Sequence, residues 1–146
     1  MTPEQAGIVR SSFVKVLAIK DIAGQLFYRR LFEIAPELRP LFKVDIDIQA
    51  RKLMETLAVA IGSMRNSTAL TAMLEQLALR HVEYGVKIEH YASVGDALLW
   101  TLEKGLGSDF TPQMRGAWEA LYHDIAQTMI ASVSLDTKIN RPKTPH

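Results

Sequence analysis

Four histidines, four tyrosines and no cysteine set the range of chemistry open to this 146-residue chain. Without thiols, disulfides, iron–sulfur clusters, thiolate metal sites and cysteine nucleophiles are all excluded, and any bound metal must take imidazole or oxygen ligands. His81 is the histidine whose setting suggests such work. It follows the apolar stripe Leu74, Leu77 and Ala78, four residues beyond Leu77, so its ring should face inward at the end of a helix. A buried histidine is more often a hydrogen-bonded core residue than a ligand, and spacing alone leaves both readings open. The other three have plainer places: His123 on the polar side of the last helical stretch, His90 at a corner, and His146 at the terminus.

Two further segments carry polar groups among apolar neighbours. Leu26-Phe27-Tyr28-Arg29-Arg30-Leu31-Phe32 offers Tyr28, and Gln49-Ala50-Arg51-Lys52-Leu53 puts Gln49 and Leu53 on one helix face at four-residue spacing. Each also has an ordinary reading, Tyr28 as core with its hydroxyl reaching water and Gln49 as a surface residue near a helix start. Other motifs fail on inspection. Asp45-x-Asp47-x-Gln49 begins like a calcium loop, but Ala50 stands where the turn needs glycine and Thr56 where it needs the last carboxylate. Gly105-x-Gly107 lacks a third glycine and a preceding strand, so it supports no nucleotide site. Asn66-Ser67-Thr68 has the form of a glycosylation sequon but reads as a turn at a helix end.

The elements that must position these residues are all helical. Thr2-Pro3-Glu4-Gln5 is a capping box with proline in the first turn, and it opens a helix with Ile8, Phe13, Val16 and Leu17 on its apolar face. A second helix should run from about Ile22 to before Pro36, with Pro36 and Pro40 bracketing a corner. After an irregular Lys43-Val44-Asp45-Ile46-Asp47, the stripe Leu53, Leu57, Ala60, Ile61 and Met64 predicts a long helix ending near Asn66. The next runs from about Leu70 through His81 and fails near Gly85. Tyr91 to about Leu106 and Thr111 to about Leu135 complete the series, the last with a second cap-then-proline start. Short links and the absence of heptads predict an all-α domain of orthogonally packed helices.

The totals bound the partners. A chain of this length can hide about 70% of its unfolded surface, enough for one core. Basic and acidic residues nearly cancel, 17 against 16, so a nucleic-acid partner is not expected. No run approaches the roughly 18 apolar residues of a membrane span, and Met1 to Gln5 does not open like an export signal. A cytoplasmic location is the expectation.

Taken in order, Phe27-Tyr28-x-Arg30-x-Phe32, Pro36-Glu37-Leu38-x-x-x-Phe42, Gln49-x-x-x-Leu53, His81 and then Tyr91 with Val94-Gly95 make the chain similar to the globin family. The resemblance is to single-domain bacterial globins and the globin domain of flavohaemoglobins, and it spans about Pro3 to Val133. It implies a globin fold over residues 1–137, with 138–146 left as a flexible basic tail. It also implies haem b (iron protoporphyrin IX), with His81 as the iron ligand and Phe42 stacked on the porphyrin. Tyr28, Gln49 and Leu53 would form the distal pocket, where Tyr28 and Gln49 steady the ligand. Val86, Tyr91 and Val94 would contact the haem, with Tyr91 a partner of His81, and Lys52 and Arg80 would meet the propionates. The Nδ1 of His81 should find a main-chain carbonyl near Leu77.

Two departures qualify what the resemblance implies. Flavohaemoglobins continue into flavin- and nicotinamide-binding domains that this sequence does not contain, so electrons are expected from a separate reductase. Their last helix supplies a glutamate to the proximal relay, and Val133 stands at that position here. Ligands of the expected site are dioxygen, nitric oxide and carbon monoxide. Three functions follow from different classes: nitric oxide dioxygenation, dioxygen storage, scavenging or sensing, and a cofactor-free helical protein in which His81 and Tyr28 are merely core. Family order favours haem, with tight dioxygen retention and nitric oxide dioxygenation as its use.

Overall fold

The computed structural model describes residues 1–140, with side chains through Ser134. Six α-helices follow one another: α1 (Pro3–Ala18), α2 (Lys20–Ile34), α3 (Ile46–Gly62), α4 (Ser67–Tyr84), α5 (His90–Leu106) and α6 (Pro112–Asn140). Short 3-10 segments at Pro36–Leu41 and Gly107–Asp109 turn the chain. There is no strand among the described residues, and no helix there is long and apolar enough to cross a membrane.

The capping box holds as the sequence indicates: Thr2 Oγ1 accepts from the Gln5 amide at 3.1 Å, and Gln5 Oε1 accepts from the Thr2 amide at 2.9 Å. The segment at 43–47 departs from its expected irregularity, because the Asp45 carboxylate accepts the Asp47 amide at 2.8 Å and starts α3 at Ile46. Local charge alternation concealed a side-chain cap. Likewise α3 ends at Gly62 rather than near Asn66, whose side chain instead caps α4 by accepting from the Ala69 amide at 3.1 Å. At the far end α6 runs on through Asn140, past the expected boundary at 137, and Arg141 to His146 of the expected tail lie outside the described residues.

Packing divides the molecule in two. α1, α2, the Pro36–Leu41 segment, α3, α5 and the first half of α6 enclose one core, with Val9, Phe13, Phe27, Leu31, Leu102 and Trp118 buried. At its centre the Trp118 indole donates to Ser12 Oγ at 2.9 Å, so neither buried polar atom is orphaned. A smaller core joins Leu74 and Ala78 of α4 to Met129 of α6. Thus α3 rests on α2, α4 rests on α6, and no extensive packing joins α3 to α4.

Candidate functional site

On the α2–α3 side, Tyr28 is almost fully buried, its ring edge-on to Phe27 (centroids 4.9 Å) and to Phe42 (5.2 Å), with Phe32 at 5.9 Å. Edge-to-face contact places positive ring edges against negative faces, which fixes the Tyr28 ring in one orientation. Gln49, half-buried in the first turn of α3, lies close enough to its hydroxyl to act on its charge. Burial pushes the Tyr28 pKa up to about 12, against the smaller opposite effect of Gln49. The phenol is therefore neutral and a donor at any ordinary pH. Leu53, one turn beyond Gln49, is half-buried at the edge of the main core, as are Phe42 and Val94.

On the α4 side, His81 Nδ1 lies 2.8 Å from the Leu77 carbonyl oxygen, the partner expected from sequence. A carbonyl can only accept, so Nδ1 carries the proton and Nε2 keeps its lone pair. Burial holds the imidazole below its usual pKa; the Leu77 bond opposes this and nearby Arg80 adds to it. The ring is flanked by Tyr91, stacked at 6.5 Å between centroids, and by Tyr84 at 6.1 Å. Gly85 ends α4 four residues later with φ +93°, a left-handed conformation that suits glycine, and lets the Val86 amide donate to the His81 carbonyl at 3.0 Å. That bond ties half-buried Val86 to the turn bearing His81.

Sequence reasoning missed Tyr122. Its hydroxyl donates to the Tyr91 carbonyl at 2.6 Å and so fastens the first turn of α5, next to His81, onto α6. Only Gly95 permits this approach: a Cβ there would lie 2.7 Å from the Tyr122 ring. Tyr122 sat in the apolar stripe of the last helix and looked like core, while a glycine inside a helical stripe was the one available signal.

Tyr28, Phe42 and Leu53 thus belong to the main core, with Gln49 one turn before Leu53 on α3, while His81 is in contact with Tyr91 and Val86, and Tyr91 packs on the smaller core. Lys52 and Arg80 stand exposed on α3 and α4. His90 is buried, but its Nδ1 accepts the Lys87 amide at 3.0 Å, a structural use that accounts for its corner position. His123 is exposed, and His146 lies outside the described residues. Val133 and Tyr91 both pack against the smaller core. Among the described residues there is no group of three or more histidine or carboxylate side chains placed to hold a metal ion. A cleft of about 600 Å³ opens between the α1–α2 corner and α3, lined by Leu17, Asp21, Arg51 and Met54 among others, and none of the candidate site residues borders it.

The described residues form an all-helical domain with a neutral-leaning imidazole on α4 and a buried phenol among aromatic rings on α2. The globin family model matches residues 25–129. A flavohemoprotein of Vibrio cholerae is 32% identical over 133 residues, which are 89% of this chain and 34% of that protein. The chain spans about a third of the length of the curated relatives it matches. A bacterial globin from Campylobacter jejuni superposes with TM-score 0.82 at 26% identity, covering 94% of this chain and 99% of that one. An engineered carbene transferase from Rhodothermus marinus, provisionally assigned as a nitric oxide dioxygenase, gives TM-score 0.84 at 26% identity over 97% and 99% of the two chains. The chain belongs to the globin family, whose members are haem proteins that bind small gaseous ligands.

Proposed function

We propose that this globin binds haem b through Nε2 of His81 and holds dioxygen with Tyr28 and Gln49, and that its use is the dioxygenation of nitric oxide with electrons from a separate reductase. The residues fit the cofactor: a neutral imidazole with Nδ1 already bonded offers its remaining lone pair, and half-buried Phe42, Leu53 and Val94 offer an apolar face. Haem iron supplies an open coordination position for a diatomic gas and the electron density that polarises it. Exposed Lys52 and Arg80 are the cations for the propionates, and Val86 and Tyr91 pack beside the proximal ligand.

The observation that carries the dioxygen reading is the buried Tyr28 hydroxyl, neutral and close to Gln49, a side chain that can itself donate. Donors aimed at developing negative charge favour a polarised ligand over a weakly polar one, so dioxygen is retained over carbon monoxide. If each such bond contributes about 1–2 kcal/mol, two slow release by roughly thirtyfold to a thousandfold. Retention of that order suits reaction on the protein better than delivery. Nitric oxide, dioxygen and one electron give nitrate, so turnover requires only that the reductase restore the electron.

A binding role without turnover, in storage, scavenging or sensing, is favoured by one feature. The proximal histidine is bonded to a neutral carbonyl, and Val133 offers no carboxylate to increase its basicity. Rapid mixing of the dioxygen-loaded protein with nitric oxide, followed by turnover with a flavin reductase, decides between them. Fast, stoichiometric nitrate formation supports dioxygenation; slow loss of dioxygen without nitrate leaves binding alone.

A further inference from the structure

Gly24 and Tyr28 lie one turn apart on the same face of α2, and Ala50 follows Gln49 on α3. A Cβ built on Gly24 would sit 2.6 Å from the Ala50 Cβ and 3.4 Å from both its Cα and its carbonyl oxygen. Ordinary carbon–carbon contact needs about 3.5–4.0 Å. The obstruction is largely backbone and a methyl group, neither of which can rotate away. With alanine at position 50, the helices therefore meet at a separation that only glycine at position 24 allows.

We infer that the Gly24–Ala50 contact positions the distal pair: it sets the α2–α3 spacing at which the Tyr28 hydroxyl and the Gln49 side chain meet, and through it governs dioxygen retention. Gly24 touches no ligand in this account; it acts through Tyr28 and Gln49. Adding one methyl group forces the helices apart by roughly 1 Å, and a donor withdrawn by that amount from a ligand oxygen about 2.8 Å away passes beyond bonding range. The inference rests on the distal reading of Tyr28 and Gln49 proposed above.

The test uses haem-loaded protein and three variants: Gly24→Ala, the size swap Gly24→Ala with Ala50→Gly, and Tyr28→Phe. Gly24→Ala should speed dioxygen dissociation by about tenfold, near the effect of losing one hydrogen bond, while carbon monoxide dissociation stays within about twofold. The infrared stretch of bound carbon monoxide should move to higher wavenumber as the donors withdraw. In the size swap, which restores the small contact from the other side, both readouts should return to the native values. A folded Gly24→Ala protein with native dioxygen rate and carbon monoxide band overturns the inference. If Gly24→Ala does not fold, the swap decides: native rates support positioning, and raised rates or failure to fold overturn it. Should Tyr28→Phe itself leave dioxygen release unchanged, the distal reading falls and this inference with it; a response to Tyr28→Phe but not to Gly24→Ala sinks the inference alone.

Discussion

Replacing Tyr28 with phenylalanine separates the two duties of this side chain, packing and donation. The ring is nearly isosteric, so its contacts with Phe27, Phe32 and Phe42 at centroid distances of 4.9, 5.9 and 5.2 Å survive. What disappears is a hydroxyl close to Gln49, and Gln49 is only half-buried, so its amide can turn to water. Losing a bond whose remaining member is resolvated costs little, and fold stability at neutral pH should change by less than about 1 kcal/mol. Ligand retention should respond far more. A donor to a polarised ligand contributes about 1–2 kcal/mol, which is roughly five- to thirtyfold in rate. Carbon monoxide, carrying little charge, should be released at nearly its native rate. Stopped-flow displacement of dioxygen by carbon monoxide, with urea unfolding of the same preparation, measures both quantities. The reasoning is refuted by a dioxygen rate within twofold of native. It is equally refuted if both gases accelerate alike, which would mark a steric change in the pocket rather than a lost donor.

Other outcomes follow from the same geometry. His81→Ala should abolish the Soret absorbance of the haem-supplied protein and regain it on addition of free imidazole; retention of a native spectrum would mean that another group holds the iron. Ser12→Ala strands the fully buried Trp118 indole N–H and should cost about 1–3 kcal/mol in urea unfolding while leaving gas dissociation unchanged. At high pH, Tyr28 has a folded pKa of about 12 against 10.0 in the open chain, so the fold favours its neutral form. Its contribution is complete below pH 10 and lost as pH rises from 10 to 12, about 2–3 kcal/mol in all. Tyr28→Phe should flatten the alkaline stability profile by about that amount, and an identical profile would contradict the burial of the phenol. Tyr122→Phe should weaken the α5–α6 junction by about 1 kcal/mol, measured by thermal unfolding, because the Tyr91 carbonyl loses its 2.6 Å donor.

What could be read from the sequence was whatever a single helix determines. The stripe Leu74, Leu77 and Ala78 gave His81 its inward face, and the four-residue repeat that carried it there also put the Leu77 carbonyl beneath Nδ1. Tyr28 and Gln49 were readable as inward polar residues for the same reason, and family order joined them. Capping was harder to see. Asp45 and Asp47 looked like an irregular charged link because their value lies in one 2.8 Å bond from an amide to a carboxylate, which periodicity does not register. Helix crossings were harder still, since the residue that permits a close crossing is the one without a side chain. Gly24 against Ala50 stands behind the distal pair, and Gly95 against Tyr122 stands behind the turn that bears Tyr91. Each of these crossings is therefore set by a glycine, and how closely the helices bearing Tyr28 and Tyr91 approach their neighbours is determined where two helices touch, one turn away from those side chains.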